Sequence, residues 1–183
     1  MTYKNLFYTA LVFTIVFFAL IIKTPKSIPS RVTVENDIYI SSTDVTRNGP
    51  PCLQMYYAIK KYAEEYDIPL NYAFGISYAE TRYQGPFHWT YNSKQTSCVG
   101  AIGPMQIMLP TGKGMWKGKT VTREMLMNDI YFNVHTSMKL LRKLFNKHKN
   151  WKLVFGAYNT GRPCVNGYAN MVYNYDMNFK KHR

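Results

Sequence analysis

The chain has 183 residues, of which 46% are hydrophobic and 16% aromatic, enough for one packed domain, and this composition excludes global disorder. A formal net charge of +13, from 23 Lys and Arg against 10 Asp and Glu, favours polyanionic partners such as nucleic acid, anionic lipid headgroups or an acidic cell wall. The basic residues are spread along the chain without a nucleic-acid-binding motif, so we expect no nucleic-acid partner.

The first predicted element is an apolar segment at residues 6–22, which contains no charged residue. Its length falls at the short end of what spans a bilayer core of about 30 Å. It is longer than the apolar core of a usual signal peptide, and no small-residue cleavage pattern follows it. We therefore predict an uncleaved membrane anchor over residues 1–23. The flanking charges do not settle which side of the membrane the rest of the chain occupies.

A spacer is predicted at residues 24–50, where Pro25, Pro29 and Pro50 are separated by Ser, Thr and Asn. This composition is typical of a segment that holds a domain away from a membrane, with one short strand at residues 31–40. No internal repeat is present in the chain.

From residue 51 onward, apolar residues recur with the period of a helix. The first predicted helix carries them at positions such as Met55 and Ile59 and ends before Pro69. Proline suits the first turn of a helix, so a second helix is predicted after it, with Ala73 and Ile76 on its apolar face.

A long loop rich in Gly, Pro, Asn and Ser is predicted at residues 82–103, and such loops in compact domains usually serve function. A short helical segment at residues 104–109 follows it. Asp129 is expected to cap a long amphipathic helix, and two more helices are predicted at residues 151–158 and 165–175. The apolar stripe of the long helix is Val134, Ser137, Met138, Leu141, Leu144 and Phe145. Residues 51–183 are therefore predicted to form an all-α domain of about six helices.

The three cysteines, Cys52, Cys98 and Cys164, fit an exported domain with one disulfide and one free thiol. The alternative is three buried thiols in a reducing compartment. No Cys or His spacing in the chain is typical of a metal site, so we predict no metal and no cofactor.

Glu80 is the first candidate for chemistry. It lies seven positions after Ala73 and four after Ile76, which places it on the apolar face near the end of the second helix. Desolvation and the negative end of the helix dipole should both raise its pKa above the usual value of about 4.3. A general acid needs such a pKa to hold its proton near neutral pH. The alternative is a surface glutamate at a frayed helix end.

Three short segments around Glu80 occur in a recognisable order: AET at residues 79–81, GAIGPMQI at 100–107 and AYNTG at 157–161. Their order and spacing resemble those of the lytic transglycosylase catalytic domain, which has a goose-lysozyme-like fold. The resemblance covers residues 51–175. It implies an all-α, lysozyme-like domain behind the N-terminal transmembrane helix.

The resemblance also implies roles for individual residues. Glu80 would be the single acid/base, and the substrate-binding residues would be Thr81, Gly103, Met105, Gln106, Ile107, Tyr158 and Asn159. Thr81 stands where the family usually has serine, Pro104 stands where it has a larger aliphatic residue, and the loop at 82–99 has no counterpart. These differences from the family pattern bear on which substrate is preferred more than on which reaction is catalysed.

The reaction implied is cleavage of the β-1,4 bond between N-acetylmuramic acid and N-acetylglucosamine in peptidoglycan, with formation of a 1,6-anhydromuramyl end. Enzymes that use a covalent intermediate or inversion normally need two carboxylates at the bond. No second Asp or Glu occurs between Glu80 and Glu124, and this agrees with a single acid. The expected location is the inner or cytoplasmic membrane, single-pass, with a periplasmic domain.

The expected partners are peptidoglycan glycan strands, the membrane, and envelope-spanning machinery for secretion, conjugation or phage infection. Three alternatives stay open. The first is a goose-type lysozyme that hydrolyses the same bond, and the second is a non-catalytic wall-binding assembly component. The third is a basic, membrane-tethered nucleic-acid binder.

Two further expectations depend on the motifs meeting in one cleft. Cys98 and Cys164 each flank a motif, so these two thiols are the expected disulfide pair. The aromatic residues of the loop at 82–99 form either a sugar-stacking wall of the cleft or a cluster that pins the loop to the domain. They are Tyr83, Phe87, His88, Trp89 and Tyr91.

Overall fold

The computed structural model describes residues 46–177 of the chain, and within this range the regular elements are α-helices. Seven helices lie wholly within this range: α1 Pro51–Glu65, α2 Leu70–Thr81, α3 Leu109–Met115, α4 Arg123–Asn128, α5 Ile130–His148, α6 Trp151–Thr160 and α7 Gly167–Tyr173. The all-α prediction is confirmed. The predicted anchor at residues 6–22 and strand at 31–40 lie outside the described residues. None of the helices between residues 46 and 177 has the length and apolarity needed to cross a membrane.

Helix α5 organises the domain, because it packs against α1, α3, α4 and α6. Its apolar stripe is the predicted one, and Val134, Met138 and Leu141 are completely buried. Asp129 caps the helix as predicted: its carboxylate accepts a hydrogen bond of 2.9 Å from the backbone N–H of Phe132.

Helix α2 carries Glu80 and packs between α1 and α7. Because it is covered on both sides, its interior positions Ala73, Phe74 and Ile76 are all buried. Gly75 allows the close approach of the C-terminal segment, since a Cβ atom at this position would lie 2.9 Å from Cβ of Tyr175.

The prediction of a helix at residues 104–109 is wrong. This segment is a tight turn, closed by two backbone hydrogen bonds of 3.0 Å exchanged between Ile102 and Ile107. Gly103 and Gln106 have φ values of +74° and +49°, which a right-handed helix cannot contain. The helix begins only at Leu109.

Helix α4 was not predicted from the periodicity, because it is only six residues long. Residues 46–50, within the predicted spacer, also contact the domain: the hydroxyl of Tyr131 donates to the carbonyl of Thr46 at 3.1 Å. The packed part of the chain therefore begins before residue 51.

Candidate active site

A groove of about 590 Å³ runs past the end of α2, between the loop at residues 97–108 and helices α5 and α6. It is the place where the three sequence motifs meet. Its lining residues are Glu80, Ser97, Val99, Ala101, Gln106, Met108, Thr111, Leu140, Leu144, Ala157, Tyr158, Asn159, Thr160 and Gly161.

Glu80 lies half-buried in the wall of this groove, one residue before the end of α2. Desolvation raises the pKa of its carboxyl group from the ordinary value of 4.5 to about 7, and a hydrogen bond from Tyr168 acts in the opposite direction. Near neutral pH the protonated and ionised forms are therefore both populated. This is the state that a group needs if it is to give a proton and later accept one.

Tyr168 is the hydrogen-bond partner of Glu80. Its hydroxyl donates to Oε1 of the carboxyl group at 2.5 Å. It stands in the first turn of α7, which begins at Gly167 because the Asn166 side chain accepts a hydrogen bond of 2.8 Å from the backbone N–H of Ala169. Burial and the neighbouring Glu80 carboxylate raise the pKa of Tyr168 far above its ordinary value, so this phenol remains a donor.

Between residues 46 and 177, Glu80 is the only carboxyl group that lines the groove. The other acids in this range lie outside the groove. Asp129 caps α5, Asp67 forms an ion pair with Arg142 at 3.0 Å, and Glu124 lies exposed in the first turn of α4. The groove therefore offers one titratable carboxyl group to a substrate.

Thr81 attaches helix α2 to the turn at residues 102–107. Its buried hydroxyl donates to the carbonyl oxygen of Pro104 at 2.9 Å and lies 2.9 Å from the hydroxyl of Tyr91. The turn therefore keeps a fixed distance from the neighbouring Glu80.

Asn133, which is buried in α5, holds the same turn by hydrogen bonds to its backbone. Its side-chain oxygen accepts from the backbone N–H of Met105 at 2.9 Å, and its amide donates to the carbonyls of Ile102 and Leu126 at 2.9 and 2.8 Å. This arrangement requires glycine at position 103, because a Cβ atom there would lie 2.5 Å from Nδ2 of Asn133. Neither Asn133 nor Tyr168 stands in one of the three motifs, so the sequence did not indicate their place at the site.

Residues 57–179 match the profile of the transglycosylase SLT domain. The chain belongs to this family. The match confirms the family predicted from the three motifs, and the enzyme class predicted from them agrees with that family. The lysozyme-like fold is confirmed as well. No curated protein sequence matches the chain.

Solved structures similar to this SLT domain include the 70 kDa soluble lytic transglycosylase from Escherichia coli, with 24% identity and a TM-score of 0.50. The match covers 64% of this chain and 18% of that one. A complex of the 70 kDa enzyme with bulgecin A gives the same values. A lytic transglycosylase from Pseudomonas aeruginosa matches with 23% identity and a TM-score of 0.46, over 57% of this chain and 16% of that one. The SLT domain thus spans less than a fifth of the length of these proteins.

The structure divides the predicted substrate-binding residues of the SLT domain into two groups. Gln106, Tyr158 and Asn159 line the groove beside Glu80. Four others are buried beneath its surface, and none of these lines the groove: Thr81, Gly103, Met105 and Ile107. Each of these four belongs to the contacts that shape the turn at residues 102–107 or attach it to α2 and α5.

Tyr158 joins the third motif to the second. Its hydroxyl donates to the carbonyl of Met105 at 2.7 Å and lies 2.9 Å from the hydroxyl of Ser137. Gln106 donates from its side-chain amide to the carbonyl of Gly103 at 2.8 Å, which orients that side chain at the groove. Asn159 accepts from Asn166, the cap of α7, at 3.3 Å.

The predicted disulfide is absent, since Cys52, Cys98 and Cys164 are all free thiols. The motifs do converge, because Ser97 and Thr160, near the two expected partners, line the same groove. However, Cys98 is exposed, and the thiol of Cys164 lies 3.8 Å from the hydroxyl of Thr160. The expected pairing is therefore wrong in this structure.

The aromatic residues of the loop at 82–99 do not line the groove in the described part of the chain. Tyr83 and Tyr91 are buried and pack edge to face with ring centroids 4.9 Å apart. Tyr83 also donates to the carbonyl of Cys52 at 2.6 Å. Phe87 and Trp89 are 45% and 63% exposed. Of the two interpretations, the structure favours a loop pinned by its own aromatic cluster.

Proposed function

We propose that this SLT domain is a peptidoglycan lytic transglycosylase that cleaves the β-1,4 bond between N-acetylmuramic acid and N-acetylglucosamine and leaves a 1,6-anhydromuramyl end. The observation that carries the proposal is Glu80, a half-buried carboxyl group with a pKa of about 7 in the wall of an open groove. Family membership supports the same conclusion.

In the first step, protonated Glu80 donates its proton to the glycosidic oxygen. Desolvation keeps that proton available near neutral pH. The hydrogen bond from Tyr168 then stabilises the carboxylate that the transfer leaves behind. The N-acetyl group of the muramic acid stabilises the positive charge that develops at C1.

In the second step, the Glu80 carboxylate takes the proton of the 6-hydroxyl of the same sugar, whose oxygen attacks C1. The product is a 1,6-anhydro ring, and no water is consumed. A tethered hydroxyl reacts at a high effective concentration, up to about 10⁵ M or more in well-oriented cases. Since no second carboxyl group lines the groove within residues 46–177, a route that needs a nucleophilic or water-activating carboxylate has no candidate residue there.

The remaining polar groups in the groove are proposed to position the sugars. Gln106 keeps its side-chain oxygen available after its amide has bonded to the turn. Tyr158 and Asn159 line the same groove as Glu80. Glycan strands, which are linear, fit a groove better than they would a closed cavity.

The test is digestion of purified cell wall with the full chain, followed by mass spectrometry of the released muropeptides. Anhydromuramyl products, lighter than the hydrolysed ones by one water, are expected from the native chain, and no products from Glu80→Gln. Glu124→Gln is the matched control, because Glu124 is exposed on α4 and lies outside the groove. Hydrolysed ends would make the protein a lysozyme, and wall binding without turnover would make it a binding component.

We also propose that residues 6–22 anchor the chain by a single helix in the inner or cytoplasmic membrane, with the domain in the periplasm. The uncharged apolar run supports the anchor, and a peptidoglycan substrate requires this orientation. Protease added to intact spheroplasts should degrade the domain. Protection of the domain, or a mature protein that lacks the apolar run, would contradict the proposal.

A further inference from the structure

A second cavity, of about 490 Å³, opens between α3 and the segment at residues 116–123. Four basic residues line it: Lys113, Lys117, Lys119 and Arg123. All four are exposed, and within the described residues no carboxyl group lines the cavity. We call it the basic cavity. Four cations around one concavity create a positive potential that attracts anionic groups.

The wall of the basic cavity is rigid and apolar. Trp116 lies half-buried there, its indole N–H donates to the Thr136 hydroxyl at 2.9 Å, and its ring stacks on Phe132 with centroids 5.6 Å apart. The ammonium group of Lys119 lies 5.1 Å from the centroid of the same ring. A ligand that suits this cavity therefore combines an anionic group with small apolar groups.

The basic cavity lies next to the catalytic groove. Helix α3 separates them: Thr111 lines the groove, while Lys113 lines the basic cavity. Arg123 reaches from the cavity to the loop that borders the groove, where its guanidinium donates to the hydroxyl of Thr96 at 3.2 Å, beside Ser97. The width of a helix with its side chains, about 10–12 Å, thus divides the two sites.

We propose that the basic cavity binds the free carboxylates of peptide branches on a wall strand whose glycan backbone lies in the groove. This inference rests on the proposed function. Peptidoglycan carries short acidic peptides on its muramic acid residues, and an extended peptide covers about 3.3–3.6 Å per residue. Three or four residues therefore reach across α3. Their alanine methyl groups suit the Trp116 wall, and their carboxylates suit the four cations.

The shape of the site favours a peptide branch over an anionic lipid surface. A flat bilayer contacts protruding lysines, whereas these four cations surround a concavity whose wall includes Leu109, Trp116 and Val121. The domain should therefore prefer strands that still carry their peptides over strands that have been stripped of them.

The experiment uses the full chain in detergent with Glu80→Gln, so that substrate is bound and not cleaved. Binding is measured to glycan strands with intact peptides and to strands stripped by an amidase. We expect the intact strands to bind roughly three- to tenfold more tightly, as a few exposed charge contacts allow. The triple variant Lys113→Gln, Lys117→Gln, Lys119→Gln should lose this preference and keep the affinity for stripped strands.

The matched control removes the same charge elsewhere, by Lys60→Gln, Lys143→Gln and Lys147→Gln, all exposed and outside both cavities. It should keep the preference. Equal binding of both strands by the unmodified cavity would overturn this inference and leave the proposed function standing. No binding to either strand would overturn both. Binding of the chain to vesicles with anionic lipid that is lost in the cavity variant, without any peptide preference, would assign the cavity to lipid headgroups instead.

Discussion

Replacing Glu80 by glutamine should stabilise the folded protein at pH 8 and leave its stability at pH 4 nearly unchanged. In the unfolded chain this carboxyl group titrates near 4.5, whereas in the folded domain its pKa is about 7. The folded state therefore binds the proton more tightly, and it loses stability as the pH rises from about 4.5 to 7. Glutamine removes the charge and keeps an oxygen that can accept the hydrogen bond from Tyr168.

The magnitude follows from the pKa. At about 1.36 kcal/mol per pKa unit, the rise to about 7 corresponds to roughly 3 kcal/mol of lost stability above neutral pH. Glu80 keeps some contact with solvent in the groove, so screening should reduce this to about 2 kcal/mol. For a domain of this size, such a gain should raise Tm by about 8 °C.

The assay is thermal and urea unfolding of the native and variant chains between pH 4 and pH 9. Stabilisation by Glu80→Gln should appear between pH 4.5 and 7 and reach its full value above that range. Glu124→Gln, at an exposed acid whose pKa is lowered by its backbone and Thr122 hydrogen bonds, should gain no stability at pH 8. An equal effect of Glu80→Gln at pH 4 and pH 8, or a loss at pH 8, would refute the desolvation of Glu80.

Tyr168→Phe removes the hydrogen bond that lowers the pKa of Glu80. The alkaline fall of the pH–rate profile should therefore move up by about one pH unit. An unchanged profile would contradict this contact. Asn133→Ala removes three buried hydrogen bonds to the backbone, at Met105, Ile102 and Leu126, so urea unfolding should show a loss of about 3–5 kcal/mol. A loss under about 1 kcal/mol would contradict the role of Asn133 in the turn. Gly156→Ala places a Cβ atom 1.7 Å from the carbonyl oxygen of Cys164. This substitution should destabilise the domain by about 1–3 kcal/mol. An unchanged free energy of unfolding would contradict this packing.

Two conservative variants serve as controls for these measurements. Tyr57→Phe removes a hydroxyl from an exposed tyrosine on α1, outside the groove, and should leave the pH–rate profile unchanged. Asn146→Ala removes an exposed amide from α5, the same helix that carries Asn133, and should have little effect on unfolding.

The helices could be predicted wherever their apolar stripe is long. The stripe and cap of α5 are encoded locally, in the spacing of apolar residues after Asp129. The turn at residues 102–107 could not be predicted in the same way. Its shape depends on Asn133, which lies 28 positions beyond Met105 in the sequence and bonds to its backbone.

The place of Glu80 in the groove could be predicted, because its position on an apolar helix face and its motif agree. Its partner Tyr168 could not be predicted, because the contact joins residues 88 positions apart and leaves no periodic signal. The motif also placed Thr81 and Met105 at the substrate, whereas the structure buries both. The motifs therefore predicted segments that meet at the groove, but not which of their residues face it.

The most direct test of the proposed reaction is to identify the oxygen that becomes bonded to C1 of the muramyl end. Cell wall is digested by the full chain in heavy-oxygen water, and the released muropeptides are analysed by mass spectrometry. If Glu80 acts twice on one substrate and the 6-hydroxyl of the sugar is the nucleophile, the muramyl ends should be 1,6-anhydro and carry no label. Heavy oxygen at the reducing end would contradict this account and show that water is the nucleophile.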